Sequence, residues 1–371
     1  SITIGGDVNA TASAFGGSSN NAGAGSLGDA GVAIANIDEA GQISIAGRLS
    51  LSAVAFGGTN AGGTGGTALG GRASSRTVTG TITIGTDFVA DALGEGGDGQ
   101  TGGAGFGGIA GANAFTGALT IGGNGFAFAE GIGGNASFGF GGNGGLGRGG
   151  QTYFQADGTL TETALLQIDG LATIISNGTG GDGGQADGSV TPAGRGGDGY
   201  GGQFTVPNQA DTNFNSGAFL LAGGDNGRLI VTGTAFAESS GFGGFGGNGG
   251  SVGVGGRGGD AFGGLAQAGL ALLGQNGSLG QGEANFSSLF LDAIASAGSG
   301  GFSIGDFPTG DGGDALLATM SGPKHLCVDL DDNVIIADAE NHLKKRGIVQ
   351  AGDVIESTWR VDRVQARMMQ L

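Results

Sequence analysis

The sequence predicts an all-β fold, a repetitive β-solenoid or stacked β-sandwich with glycine-rich excursions and a short C-terminal β/α segment. Three observations carry the prediction. Glycine fills 93 of 371 positions beside only 4 prolines. Short alternating, strand-like segments recur between glycine tracts. The composition changes abruptly near residue 321.

Glycine at this density points to collagen only when it recurs at every third position among abundant prolines, and 4 prolines exclude that. The formal charge of −18 argues against nucleic acid or an anionic membrane, which need clustered Lys and Arg. Cations, sugars and other proteins remain as partners. Apolar residues come in short runs, none near the roughly 20 residues of a membrane span. The chain begins at Ser1 with no basic and apolar leader, as expected of a processed chain or of a piece of a longer one. Its single cysteine, Cys327, leaves no disulfide within one chain. That pattern suits an exported bacterial repeat protein.

Two regions follow from the break in composition, 1–320 and 321–371. The first holds 7 Arg against 24 acidic residues and no Lys, His, Cys or Trp, while the second holds every Lys, both His and the only Cys and Trp. In the first region, repeated segments run from Ile2 to Phe15, Leu49 to Phe56, Ile82 to Ala92, Leu119 to Ala129, Leu229 to Ala237 and Leu289 to Ala297. Each alternates at period two and continues as Ala-x-Ala, which places Ala53, Ala55, Ala235 and Ala237 on an inward face. Their uneven spacing suggests one or two strands plus a glycine excursion per repeat.

The glycine tracts are ordered too. Phe242 to Gly250 reads FGGFGGNGG, and a period of three suits a polyproline II type helix whose edges exchange backbone hydrogen bonds. Such bundles are expected to cover the sheets, and Phe106, Phe138, Phe140, Phe242 and Phe245 argue against a flexible linker. The alternation of strand and GGxGG resembles the glycine-rich regions of bacterial autotransporter and haemagglutinin-like surface proteins over most of residues 1–320. The tracts alone are similar to those of glycine-rich antifreeze proteins and phage tail-tip adhesins. The resemblance implies adhesion or surface binding without naming a ligand.

Candidate site residues are few. Asp98, Asp198, Asp260 and Asp314 each follow paired glycines, and Gly255 to Gly263 fits the calcium-binding nonapeptide GGxGxDxUx. Calcium is therefore the cofactor to test, against the plainer reading of Asp as a turn former. Imidazole-assisted or thiol catalysis is impossible within residues 1–320, which lack His and Cys. Paired carboxylates acting on polysaccharide would have to come from Asp87, Asp91, Asp169, Glu130 and Glu238, and nothing in the sequence pairs them. Thr81, Thr83, Thr120, Thr232 and Thr234 support an ice- or glycan-binding alternative. The many GxGxxG strings have no helix to follow them, and sequons at Asn9, Asn135, Asn177, Asn276 and Asn285 receive no role.

From Gly322 to His342 the chain reads GPKHLCVDLDDNVIIADAENH, which resembles a single NHL-type propeller repeat. The resemblance implies strands at Leu326 to Asp329 and Val334 to Ala337 joined by a turn at Asp331 to Asn333. One blade cannot close a propeller, so three expectations stand: a propeller of which the rest has been cut away, a cap or donor strand for the repeat region, or a composite or fused chain. Val354 to Leu371 reads as strand, then short helix, and His325 with His342 is too little for a metal site. The sequence as a whole predicts no enzyme. It predicts an extracellular or cell-surface structural or adhesive protein, forming homo-oligomers or filaments, with a glycan or surface ligand as a further partner.

Overall fold

The computed structural model describes residues 1–301 apart from 138–140, 160, 187–191, 203–215, 225, 250–253 and 271–281, and beyond them the backbone of five strands. The chain is all-β, with no helix among the described residues. Its strands up to residue 296 pair only in parallel, and they do so with the strand one circuit away.

Six circuits pass through five columns of stacked strands, a seventh is described as far as the third column, and Asn60–Thr64 pairs with Gly99–Thr101 as an extra pair between the third and fourth. The first column is Ile2–Ile4, Gln42–Ile45, Thr81–Ile84, Ala118–Ile121 and Ala164–Ile168, continued by the front halves of Gly227–Glu238 and Glu283–Asp292. The second is Val8–Thr11, Leu49–Ser52, Phe88–Asp91, Gly125–Phe128 and Ala172–Ile175, continued by the back halves of the same two long strands. Third and fourth come two-residue strands such as Gly94–Glu95 and Gly105–Phe106. The fifth is Val32–Ile37, Arg72–Thr77, Ile109–Ala114, Gln151–Gly158, Gly217–Gly224 and Ala266–Leu270. Ile2, Ile43, Ile82, Leu119, Leu166, Leu229 and Ala284 stand in register up the first column. Circuits range from 37 residues (82 to 119) to 63 (166 to 229), the surplus falling outside the first-column register.

The core lies between the first, second and fifth columns. Ile82, Ile84, Leu119, Ile121, Leu166 and Ile168 of the first column are fully buried against Leu49, Leu51, Phe88 and Ile174 of the second. Each such side chain contributes about 1.5–3 kcal/mol by leaving water. The fifth column faces them mostly with alanine, as at Ala110, Ala112 and Ala114. Where it carries Phe154 instead, the second column supplies Gly125, whose missing Cβ would sit 2.9 Å from the ring. Phe154 then meets Phe88 edge-on at 6.1 Å.

Past this core the two limbs of each circuit pinch together. The carbonyls of Ala53, Ala92, Ala129, Ser176 and Ser239 accept N–H groups of Gly71, Gly108, Gly150, Gly202 and Gly264 at 2.7–3.0 Å. Beyond the pinch, the third and fourth columns touch backbone to backbone: a Cβ on Gly94 would lie 2.0 Å from the Phe106 carbonyl, and one on Gly131 would lie 1.9 Å from that of Arg148. Farther out the glycine limbs form a zigzag of hydrogen bonds. The Gly103 N–H binds Gly97 O, Gly134 binds Gly103, Gly145 binds Gly134, Gly181 binds Gly145 and Gly197 binds Gly181, all at 2.7–2.9 Å. Only Gly23, Gly111, Gly141, Gly217 and Gly269 have positive φ among the described glycines. The residue is therefore selected chiefly because nothing larger fits between the limbs, and little for its freedom in φ.

These observations revise the expected repeat. The first five circuits each carry five or six short strands, not one or two, and Ala164–Ile168 with Ala172–Ile175 begins a circuit that the alternation did not reveal. The glycine tracts stack on their own copies instead of covering the sheets, because their backbone donors and acceptors are satisfied by the other limb of the same circuit and by the neighbouring circuits. Ala53, Ala55, Ala235 and Ala237 do face inward and are fully buried.

Pro323–Val328, Val334–Asp338 and Leu343–Gly347 form an antiparallel sheet with Val328 opposite Val334, and Val354–Ile355 pairs with Trp359–Arg360. These strands pair with one another and with none of the parallel columns. Asp314, the turn Asp331 to Asn333 and the helix expected near the C terminus lie outside the described residues. No helix among the described residues is long and apolar enough to cross a membrane.

Candidate functional site

The glycine-flanked aspartates take part in rung-to-rung hydrogen bonding. Asp98 Oδ1 accepts the Asn135 N–H at 2.7 Å, Asn135 Oδ1 accepts that of Asp182 at 2.8 Å, and Asp182 Oδ1 accepts that of Phe245 at 2.9 Å. Each circuit's turn thus satisfies a backbone donor of the next. Asp198 Oδ1 accepts the Asp260 N–H at 2.8 Å and is paired with Arg195, which also reaches Asp260 at 2.9 Å, while Arg257 pairs with Asp260. The hydrogen bond that Arg195 donates to Asp198 is the main reason that its guanidinium holds its proton even more firmly than usual. Two arginines therefore balance two aspartates, and among the described residues no three His, Cys, Asp or Glu side chains meet in a group that could hold a metal ion.

Of the carboxylates considered for catalysis, Asp87 and Asp169 sit in turns between the first two columns. Asp87 Oδ1 accepts the Asn124 N–H at 2.8 Å, and Asp169 Oδ1 accepts from the Gln167 amide at 2.6 Å. Register brings the other three to one outer face of the pinch. Burial, then the charges of Asp91 and Glu238, push the Glu130 carboxyl above its ordinary range. Burial likewise raises Asp91. Asn177 stands one circuit above Glu130, and its amide donates to Glu238 Oε1 at 2.8 Å. It is 9% exposed, which hides this sequon.

The threonines do not form a broad array. Thr83 and Thr120 align with Thr3 and Ser44 in a single file that ends at Gln167. Thr81 is flanked by Gln42 and Ala118, and Thr232 and Thr234 fall at a break in register.

The opposite outer face of the pinch is a groove of about 480 Å³. Leu69, Phe106 and Arg148 of the fourth column form one wall, and Arg72, Ile109 and Gln151 at the head of the fifth form the other. Paired glycines at 70–71, 107–108 and 149–150 lie between them, and the closeness of the limbs there makes the surface concave. Tyr200 and Phe262 continue the fourth-column file, their rings stacked at 4.6 Å. The sequence singled out Phe106 only as an aromatic in a glycine tract and did not group it with the others, although a signal was present: each wall residue of the fourth column is the x of a small-x-Gly-Gly string, as in ALGG, GFGG, GRGG, GYGG and AFGG.

No family model matches the chain, and comparison with curated proteins and with solved structures finds no significant match.

Proposed function

We propose that the chain is a β-solenoid with polyglycine II-like excursions that serves as a non-enzymatic structural or adhesive module on the outside of a bacterial cell. The observation that supports this reading best is the parallel stacking of successive circuits, in register along the first column except for a shift between Val231 and Thr234, with backbone donors and acceptors passed from each to the next. Such a body is stiff along its axis and repeats its side chains in files, which suits presentation and load-bearing more than turnover. Seven circuits rise only about 29 Å at ~4.8 Å each, so a fibre needs many units. Parallel ladders are templates for further pairing, and the proposal includes self-association into filaments.

Negative-stain electron microscopy of the purified protein, with and without calcium, tests the reading. Filaments in both conditions are the expected result, because Asp198 and Asp260 already have arginine partners. Filaments that vanish on chelation would return calcium to the glycine-flanked aspartates. Isolated particles throughout would refute the fibre.

A further inference from the structure

We propose that the groove beside the pinch binds a linear acidic polysaccharide, with Arg72 and Arg148 on its carboxylates and Phe106 against its sugar faces. The inference deepens the adhesive part of the reading above and rests on it.

The charges of the groove set it apart from the rest of the molecule. In a chain of formal charge −18, its lining holds two arginines and no acidic residue. Among the described residues neither arginine has a carboxylate partner. Arg72 bonds through Nε to Ser74 Oγ at 2.9 Å, which fixes its stem, and among the described residues its terminal nitrogens have no hydrogen-bond partner. The acidic trio Asp91, Glu130 and Glu238 lies on the other outer face, while in the file of the groove's fourth-column wall the one carboxylate among the described residues is Asp29, one circuit from Leu69 and outside the lining.

The glycines between the walls cannot recognise a ligand through their amides. Gly70 donates to Phe106 O, Gly71 to Ala53 O, Gly107 to Arg148 O and Gly108 to Ala92 O, all at 2.7–2.8 Å. Polar recognition falls to Arg72, Arg148 and Gln151, and apolar contact to Leu69, Phe106 and Ile109. Planar guanidinium forks suit carboxylates, while flat apolar side chains suit the C–H faces of sugar rings. The two arginines stand two circuits apart, roughly 10 Å along the axis, which is the reach of a disaccharide. A chain with an acidic group on successive or alternate sugars can therefore meet both. A second copy of the protein, offering its acidic face, is the competing occupant, but Asp91 and Glu130 are themselves partly buried.

The test is isothermal titration calorimetry of the intact protein with oligogalacturonate, and with a neutral glucan oligomer of equal length as control. The expected result is binding of oligogalacturonate alone, weakened by added salt and lowered about tenfold or more by Arg148→Gln or Arg72→Gln. Phe106→Ala should weaken it without changing the salt dependence. Absence of binding, equal binding of the neutral oligomer, or variants that bind like the parent would overturn the proposal. So would sedimentation showing that Arg148→Gln abolishes self-association while oligogalacturonate has no effect, since the groove would then belong to a second copy. Filament formation in the microscope is read separately, so failure of the glycan site leaves the fibre reading standing.

Discussion

The glycine limbs make a sharp prediction at Gly145, which is buried in the middle of the zigzag. Its N–H binds Gly134 O at 2.8 Å, and its carbonyl accepts from Gly181 at 2.9 Å. A Cβ here would lie 1.9 Å from the carbonyl oxygen of Gly103, on the same limb of the adjacent circuit, where at least 3.0 Å is needed, so Gly145→Ala must part the two circuits by 1.1 Å or more. Two buried backbone hydrogen bonds are stretched or lost at about 1–3 kcal/mol each, and overpacking adds about 1–3 kcal/mol. The expected loss is about 3–9 kcal/mol, from a central circuit on which its neighbours depend. Gly6→Ala is the control, because nothing lies within 4 Å of its added Cβ. It should be neutral or stabilising by up to about 1 kcal/mol. Urea denaturation followed by circular dichroism reads both. If Gly145→Ala unfolds at the same urea concentration as Gly6→Ala, glycine is not selected here by contact and the packing argument fails.

Two further predictions concern the carboxylates. Glu130 is raised above its ordinary 4.5 by burial and by Asp91 and Glu238. Its contribution to stability is thus complete below pH 4.5 and is lost as pH rises through the raised value. Glu130→Gln should therefore stabilise the fold by about 0.5 kcal/mol at neutral pH, after solvent screening, and the gain should vanish in acid. Thermal melts across that range check it, and a destabilised variant at neutral pH would contradict the assignment. Asp98→Ala leaves the Asn135 N–H to water at an exposed turn and should cost about 0.5–1 kcal/mol, whereas Asp98→Asn, which keeps the acceptor, should cost less.

Alternation at period two was legible where strands are long enough to show it. Ile82 with Ile84, and Ala235 with Ala237, announce an inward face without any knowledge of neighbours. Two-residue strands such as Gly105–Phe106 have no period at all, and IAGANA at Ile109–Ala114 carries too little apolar bulk to read as strand. They are strands because a neighbour one circuit away fixes them. The same dependence hid the groove and the acidic trio. Asp91, Glu130 and Glu238 fall on one face only once register is known, and register needs circuit lengths that vary from 37 to 63 residues. Glycine content showed that the backbone comes close to something, but not that it comes close to itself.

Hydrogen exchange of the glycine amides tests most directly the claim that the tracts are a hydrogen-bonded zipper. The N–H groups of Gly103, Gly134, Gly145 and Gly181 each have a backbone acceptor at 2.8–2.9 Å. They should exchange as slowly as those of Ile82 and Leu119 in the core strands. Exchange of these glycines at the rate of an unstructured peptide, while the core strands stay protected, would contradict the account.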